Sequence, residues 1–336
     1  MVINTTSKTS ELDPEMREEI HKAEVLDELE PLVEKLMNRH KEKRRLWWSD
    51  EFLPASEKTA KDEQNNLDNL RERAQGINDS TKVSLLVNLL TEEGLPHFHR
   101  ILSKYLGDDS FWSKWNFMWT AEEDRHGAVI RDYVRDTRIM DFTRVEQMQF
   151  DYQVAGFEPS WDNDPYRVFV YTTLQERATQ VSHQNTGKMA GNEDEPVLHG
   201  ILKHVAADEA KHYIFYRDVF SGVLEKDPNR ALQSAAEILP SIDMPGLTMP
   251  NFNQMADIIR RVGIYGPWDY KDIVQEAVDY WKIEKLTNLN EAGRKAQEKI
   301  MQIPARLEKV AKYIERKAKK KTFSFDFLYN RQVAFE

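Results

Sequence analysis

Two stretches of the chain set a histidine three residues after a glutamate, Glu123–His126 and Glu209–His212. On a helix such a pair shares one face, with Cβ atoms about 5–6 Å apart. A carboxylate oxygen and an imidazole nitrogen so placed can reach the same metal ion. Each pair follows a lone candidate carboxylate, Glu92 by 31 residues and Glu176 by 33. At a rise of about 1.5 Å per residue, that separation spans one helix, a turn and part of a second helix. Two helix hairpins, each giving three donors, would generate this order. Four carboxylates and two imidazoles suit iron or manganese, and their summed charge balances two divalent ions. Two ions roughly 3.5–4 Å apart can bind O2 or an oxygen between them.

A lone Glu-x-x-His is a weak signal. With nine histidines in the chain and glutamate near one residue in ten, about one such pair is expected by chance. A third, Glu18–His21, stands in a very polar segment with no matching glutamate upstream, and is read as chance. The ordered set of four elements carries more weight. So do the apolar neighbours at helical spacing: Trp119 and Ile130 around Glu123, and Leu202, Val205 and Tyr216 around Glu209. Carboxylates on such faces lose several kcal/mol of hydration unless they are paired or metal-bound.

The segments that must position these residues read as helices. Asp13-Pro14 opens a charged one that runs toward Arg44-Arg45, with proline at its first turn. Trp47-Trp48 and Phe52-Leu53-Pro54 mark an irregular segment packed on the body. Asn65 to Ala74 reads as a short helix. Asp79-Ser80 starts the helix of Glu92. Gly94-Leu95-Pro96 is expected to kink that helix rather than end it, because apolar spacing resumes at Phe98, Ile101, Leu102 and Tyr105. Ser110 opens the helix of Glu123, and another spans Asp141 to Val154. Asp164-Pro165 and Glu195-Pro196 open those of Glu176 and Glu209. Shorter helices follow Asp227, then a loop from Pro240 to Pro250 with Met-Pro twice. Helices are expected over 251–261, 267–286 and 290–320, with an extended tail over 323–336. No stretch alternates as a sheet of several strands would. A glutamate from each of two helices and a Glu-x-x-His from each of two others is the donor arrangement of ferritin-like di-iron and di-manganese bundles. The expectation is an all-α, ferritin-like helical bundle with additional peripheral helices, forming one domain over 1–336. The charged N-terminal helix falls within 1–50.

The 336 residues, 31% of them charged and 40% hydrophobic, suffice for a sizeable core. No run approaches the roughly 20 apolar residues of a membrane span. The first eleven residues lack the apolar segment of a secretory signal. The absence of cysteine removes disulfides, thiolate metal sites and thiol nucleophiles, and fits a reducing compartment. A net charge of −10 argues against general nucleic-acid binding.

Thr91-Glu92-Glu93-Gly94-Leu95-Pro96, Trp119 to Gly127, Gln175-Glu176-Arg177-Ala178-Thr179 and Ala206 to His212 closely resemble the soluble acyl-carrier-protein desaturases. The likeness runs from Phe52-Leu53-Pro54 to Asn330-Arg331-Gln332-Val333, most of the chain. It implies two iron ions per chain, with manganese or zinc able to stand in for them in a crystal. The ligands would be Glu92, Glu123, His126, Glu176, Glu209 and His212, with Glu92 rather than Glu93 the ligand. It implies an enzyme that uses O2 and two electrons from ferredoxin to place a cis double bond in an acyl chain held by acyl carrier protein. A homodimer is implied, with neither nucleic acid nor membrane as partner. The location expected is the bacterial cytosol, with a processed plastid protein as the alternative. The rival readings are an acyl hydroxylase on the same frame and a non-enzymatic iron-binding bundle.

The same resemblance places Trp47, Asp208 and His126 on a path for electrons from the surface, where ordinary packing is the competing role for Trp47. It places Ile101, Tyr105, Pro159 and Phe169 along an acyl channel, with Tyr105 and Val168 bulkier than the plant pattern. Trp119, in an aromatic stripe from Phe111, joins that channel. Thr179, one turn after Glu176, is read either as a proton donor near the metals or as a helix-internal hydrogen bond. Asp208 is the candidate acceptor for the second N–H of a metal-bound histidine. Glu93 and Glu122 are read as flanking or solvated, and His97, His99 and His183 as structural or surface residues, since their spacing completes no ligand set. Two basic runs, Lys41 with Lys43, Arg44 and Arg45, and Arg316, Lys317 and Lys319 to Lys321, could attract acidic partners or simply face water.

Overall fold

Proline at the first turn, capped by an acidic side chain, starts four of the helices. Asp13, Asp164, Glu195 and Asp227 each accept a first-turn backbone N–H, supplying partners that the helix itself lacks there. The structure is a computed structural model and describes residues 13–54, 59–105, 109–159, 161, 163–242, 245–316 and 319–335. The first eleven residues, Lys317, Met244 and the last residue of the expected tail lie outside the described residues. The helices in chain order are α1 (Pro14–Lys43), α2 (Ala60–Gln75), α3 (Asp79–Glu92), α4 (Leu95–Ser103), α5 (Phe111–Thr137), α6 (Phe142–Ala155), α7 (Pro165–Asn192), α8 (Pro196–Lys226), α9 (Pro228–Ile238), α10 (Phe252–Arg261), α11 (Pro267–Tyr280) and α12 (Glu291–Arg316). The architecture is the expected all-α one. No described helix is long and apolar enough to cross a membrane.

Four helices close a ring: α3 packs on α5 and α7, and α8 packs on α5 and α7. Helix α1 lies against α5 and α8, while α9, α11 and α12 form a layer reached through α7 and α8. Two apolar cores fill the ends of the ring. One holds Trp115, Trp119, Phe169, Leu174 and Tyr216, and the other Leu86, Leu89, Ile130, Leu202 and Val205. Along α5 and along α8 the acidic and histidine positions fall between these cores, in opposite chain order. That is how antiparallel neighbours bring their polar turns to one level. At the α7–α8 seam, Gly187 permits close approach: a Cβ there would lie 3.1 Å from the Leu202 Cβ.

Three details depart from expectation. The expected kink after Glu92 is a break. Helix α3 ends at Glu92 and α4 begins at Leu95, with Glu93 and Gly94 between them. Pro96 has no N–H to continue the ladder. Gly94 lets the Tyr152 ring close in, since a Cβ there would sit 2.6 Å from its hydroxyl. The helix expected over 267–286 stops at Tyr280, because Lys282 turns left-handed (φ 52°) into a short 3-10 turn. The extended tail folds back on itself: β1 (Lys321–Ser324) pairs antiparallel with β2 (Gln332–Phe335), with Phe323 opposite Val333. Four-residue strands are too short for alternation to show in the sequence. Two further boundaries differ slightly, α2 beginning at Ala60 rather than Asn65 and α12 spanning Glu291–Arg316 rather than 290–320.

Candidate metal centre

The ring of α3, α5, α7 and α8 brings six side chains together as two overlapping sets. Ligand-type atoms of Glu92, Glu123, His126 and Glu209 all lie within 4.8 Å of one another, as do those of Glu123, Glu176, Glu209 and His212. Every member is buried. Glu123 and Glu209 belong to both sets, so each can bridge.

The donor atoms converge without satisfying one another. His126 Nδ1 is 3.0 Å from Glu209 Oε1, and His212 Nδ1 is 2.8 Å from Glu123 Oε1. Yet none of these four atoms has a hydrogen bond. Buried polar atoms are otherwise almost always bonded. Four unpartnered atoms aimed into two points fit cations, and three carboxylates with one imidazole per set is an iron- or manganese-type donor group. Charge says the same. Burial disfavours the imidazolium of both histidines, but the facing carboxylates of Asp208, Glu123, Glu209 and Glu92 outweigh it and push His126 well above the usual range. Glu122, Glu123 and Glu176 do the same for His212. Burial raises Glu176 strongly, and its neighbours Glu123 and Glu209 add to that. Glu92 is also buried, but the facing His126 imidazole and the His183 hydrogen bond bring it below the usual carboxylate value. The cage draws in positive charge wherever it can.

A second layer holds the donors. His126 Nε2 faces Asp208 Oδ2 at 3.5 Å, and Asp208 also accepts the Trp47 indole N–H (2.8 Å), Arg125 (2.8 Å) and Lys211 (2.9 Å). Burial raises the Asp208 carboxyl, but the hydrogen bond and charge of His126, with Lys211, hold it well below the usual range. Trp47 is 1% exposed, whereas neighbouring Trp48 is 59% exposed and the Arg125 guanidinium covers both rings. Thr179 makes both contacts weighed for it: its hydroxyl lies near the Gln175 and Glu176 carbonyls and 2.8 Å from Glu209 Oε2. Trp119 donates its indole N–H to Glu176 Oε1 at 3.1 Å.

Spacing alone missed three residues here. His183 is buried, and its Nε2 lies 2.6 Å from Glu92 Oε1. It stands seven residues after Glu176, two turns along the same face, which was the available signal. Glu122 is buried and reaches His212, His40 and Arg44, rather than water. His40, on α1, gave no sequence signal. Glu93 pairs instead with Arg131 and Gln149. His99 bonds Thr120, and Glu18–His21 is not a donor pair, since His21 contacts Asp227 and Glu18 contacts Lys22.

A narrow apolar cavity of about 30 Å³ reaches the donor set, lined there by Glu92, Glu123, Glu176, Glu209 and Thr179. Its far side is Phe98, Ile101, Leu102, Trp161, Val168 and Tyr171. A second apolar cavity, bounded by Val87, Phe252, Ile259 and Tyr265, shares Thr91, Gln175 and Thr179 with the first. Ile101 and Trp119 line the first cavity. Tyr105, Pro159 and Phe169 are not among its lining residues, and Phe169 stacks on Trp112 with ring centroids 5.1 Å apart.

A family model described as fatty acid desaturase matches residues 21–329. The stearoyl-(acyl-carrier-protein) 9-desaturase of Ricinus communis is 33% identical over 303 residues, which cover 85% of this chain and 76% of that protein. The palmitoyl-(acyl-carrier-protein) 4-desaturase of Coriandrum sativum is 32% identical over 304 residues, covering 85% and 78%. Among solved structures, DesA2 from Mycobacterium tuberculosis H37Rv superposes with a TM-score of 0.58 at 20% identity, covering 81% of this chain and 98% of that one. That last likeness is one of fold.

Proposed function

This chain belongs to the fatty acid desaturase family, and from that premise we propose that it desaturates an acyl chain carried by acyl carrier protein, using O2, two electrons from a ferredoxin and two iron ions. The balance is R–CH2–CH2–R plus O2, two electrons and two protons, giving cis R–CH=CH–R and two waters. The observation that carries the reading is the apolar cavity that opens onto the two donor sets. Iron held by Glu92, Glu123, His126, Glu176, Glu209 and His212 would supply the activation of O2 and the removal of hydrogen.

The protein's own residues do the rest. The cavity wall from Phe98 to Tyr171 binds the acyl chain, orients one CH2–CH2 beside the donors and excludes water. The Thr179 hydroxyl, bonded to Glu209, is placed to deliver a proton beside them. Asp208 orients His126 and links it to Trp47, which leads outward to the exposed Trp48.

Exposed Lys41 and Lys43 stand close in sequence to Trp47 and suit an acidic electron donor. Arg44 is partly committed inward to Glu122, and Arg45 pairs with Glu51. We also take the whole of 1–336 as one domain, because residues of α1, α9, α11 and α12 share a continuous core with the ring, and the assembly as a homodimer, which light scattering would test.

The test is aerobic incubation with reduced ferredoxin and a panel of saturated acyl carrier proteins, with product masses read out. Loss of two hydrogens supports the proposal. Gain of one oxygen would make the enzyme a hydroxylase, and many irons bound per chain without product would make it a storage bundle.

A further inference from the structure

We infer that the buried His40–Glu122 pair is a positioning device for His212, and that it makes the cation position served by His212 the tighter of the two. The inference rests on the two-metal reading above.

Each candidate histidine ligand has one nitrogen facing the donor set and the other facing a carboxylate. The two carboxylates occupy matching places, Glu122 one residue before Glu123 and Asp208 one residue before Glu209. Each supports the histidine of the opposite helix. Their grips differ. Glu122 Oε2 takes the His212 Nε2–H at 2.9 Å, the His40 Nε2–H at 2.9 Å, and its other oxygen takes Arg44 at 2.6 Å. Asp208 Oδ2 stands 3.5 Å from His126 Nε2, while the same oxygen takes Trp47 and Arg125 at 2.8 Å each. Both carboxylates are shared, but the hold on His212 is short and the hold on His126 is long.

A carboxylate at Glu122 is acceptor only, so a metal-binding His212 would keep its one proton on Nε2 and turn Nδ1 toward Glu123 and Glu176. Such a bond fixes the ring and raises its basicity toward a metal. His40 locks Glu122 in turn. Its ring is 5% exposed, stacks on His212 with centroids 5.7 Å apart and meets Trp115 edge-on at 5.1 Å. It comes from α1, outside the four ligand-bearing helices, so the seating of α1 is coupled directly to the cation position of His212.

The test is titration of metal-free full-length protein with Co2+ under nitrogen, following the visible ligand-field bands and ions bound per chain. Wild type should fill in two resolved steps. Glu122→Ala should weaken the first step roughly 10–100-fold and leave the second in place. His40→Phe, which keeps the ring packing and loses only the donor, should move the same step in the same direction by less. Asp208→Asn should move only the second. Two unchanged steps in both Glu122→Ala and His40→Phe would overturn the inference, and so would equal weakening of both steps, which marks general loosening. If Glu122→Ala does not fold, His40→Phe decides alone. Wild type binding no Co2+ at all would instead overturn the two-metal reading.

Discussion

Trp47 and His126 lie with ring planes 2° from parallel and centroids 6.0 Å apart, though 79 residues separate them in the chain. Asp208 joins them, accepting the indole N–H and facing the imidazole Nε2. Packing alone would not require a hydrogen-bonded carboxylate between two stacked rings.

Replacing Trp47 with Phe keeps the packed ring and removes the N–H. Ferredoxin-driven turnover should fall roughly tenfold, with metal content unchanged. Steady-state rates and metal analysis of one preparation decide it, and full turnover would remove Trp47 from the electron path.

Thr179→Val keeps the shape of the side chain and removes the hydroxyl bonded to Glu209. Product formation should fall roughly 100-fold, the low end for a lost proton donor, while O2 consumption continues. The ratio of product to O2 consumed is the measurement. An unchanged ratio leaves the hydroxyl with only its helix-internal contacts to Gln175 and Glu176.

Val168 is 1% exposed and forms part of the cavity wall far from the donors. Val168→Ala should lengthen the space there and move the preference among acyl carrier proteins toward longer chains. The fold should lose roughly 1–3 kcal/mol. Competition between two chain lengths in one tube reads the shift directly, and an unchanged ratio would mean the chain does not reach this wall.

Asp257 ties α10 to β1 through Lys321 at 2.8 Å and also bonds Arg260 and Arg261. Burial raises its carboxyl, but these three cations together outweigh that and bring it down to about 2. The folded value lies below the unfolded one, so the stabilisation is full above about pH 4 and disappears as pH falls toward 2. After solvent screening it is on the order of 1 kcal/mol. Asp257→Asn should therefore lower Tm at pH 7 and leave it nearly unchanged near pH 2. A Tm loss independent of pH would point to packing instead.

Helical spacing is a local property. It follows from backbone hydrogen bonds four residues apart, so the shared face of Glu123 and His126, that of Glu209 and His212, and the chain order of Glu92 and Glu176 were legible from the sequence by itself. The helix starts at Asp164-Pro165 and Glu195-Pro196 were legible for the same reason, since a cap acts within one turn. An interruption after Glu92 was legible in Gly94-Leu95-Pro96, but the packing of Tyr152 from α6 against Gly94 at the break was not. Nor was the place of His40, His183 and Glu122, whose partners lie 82 to 91 residues away. Those contacts are set by the angles at which whole helices pack. No residue type or interval in the chain encodes such an angle, so only the assembled tertiary structure decided which carboxylate holds which histidine.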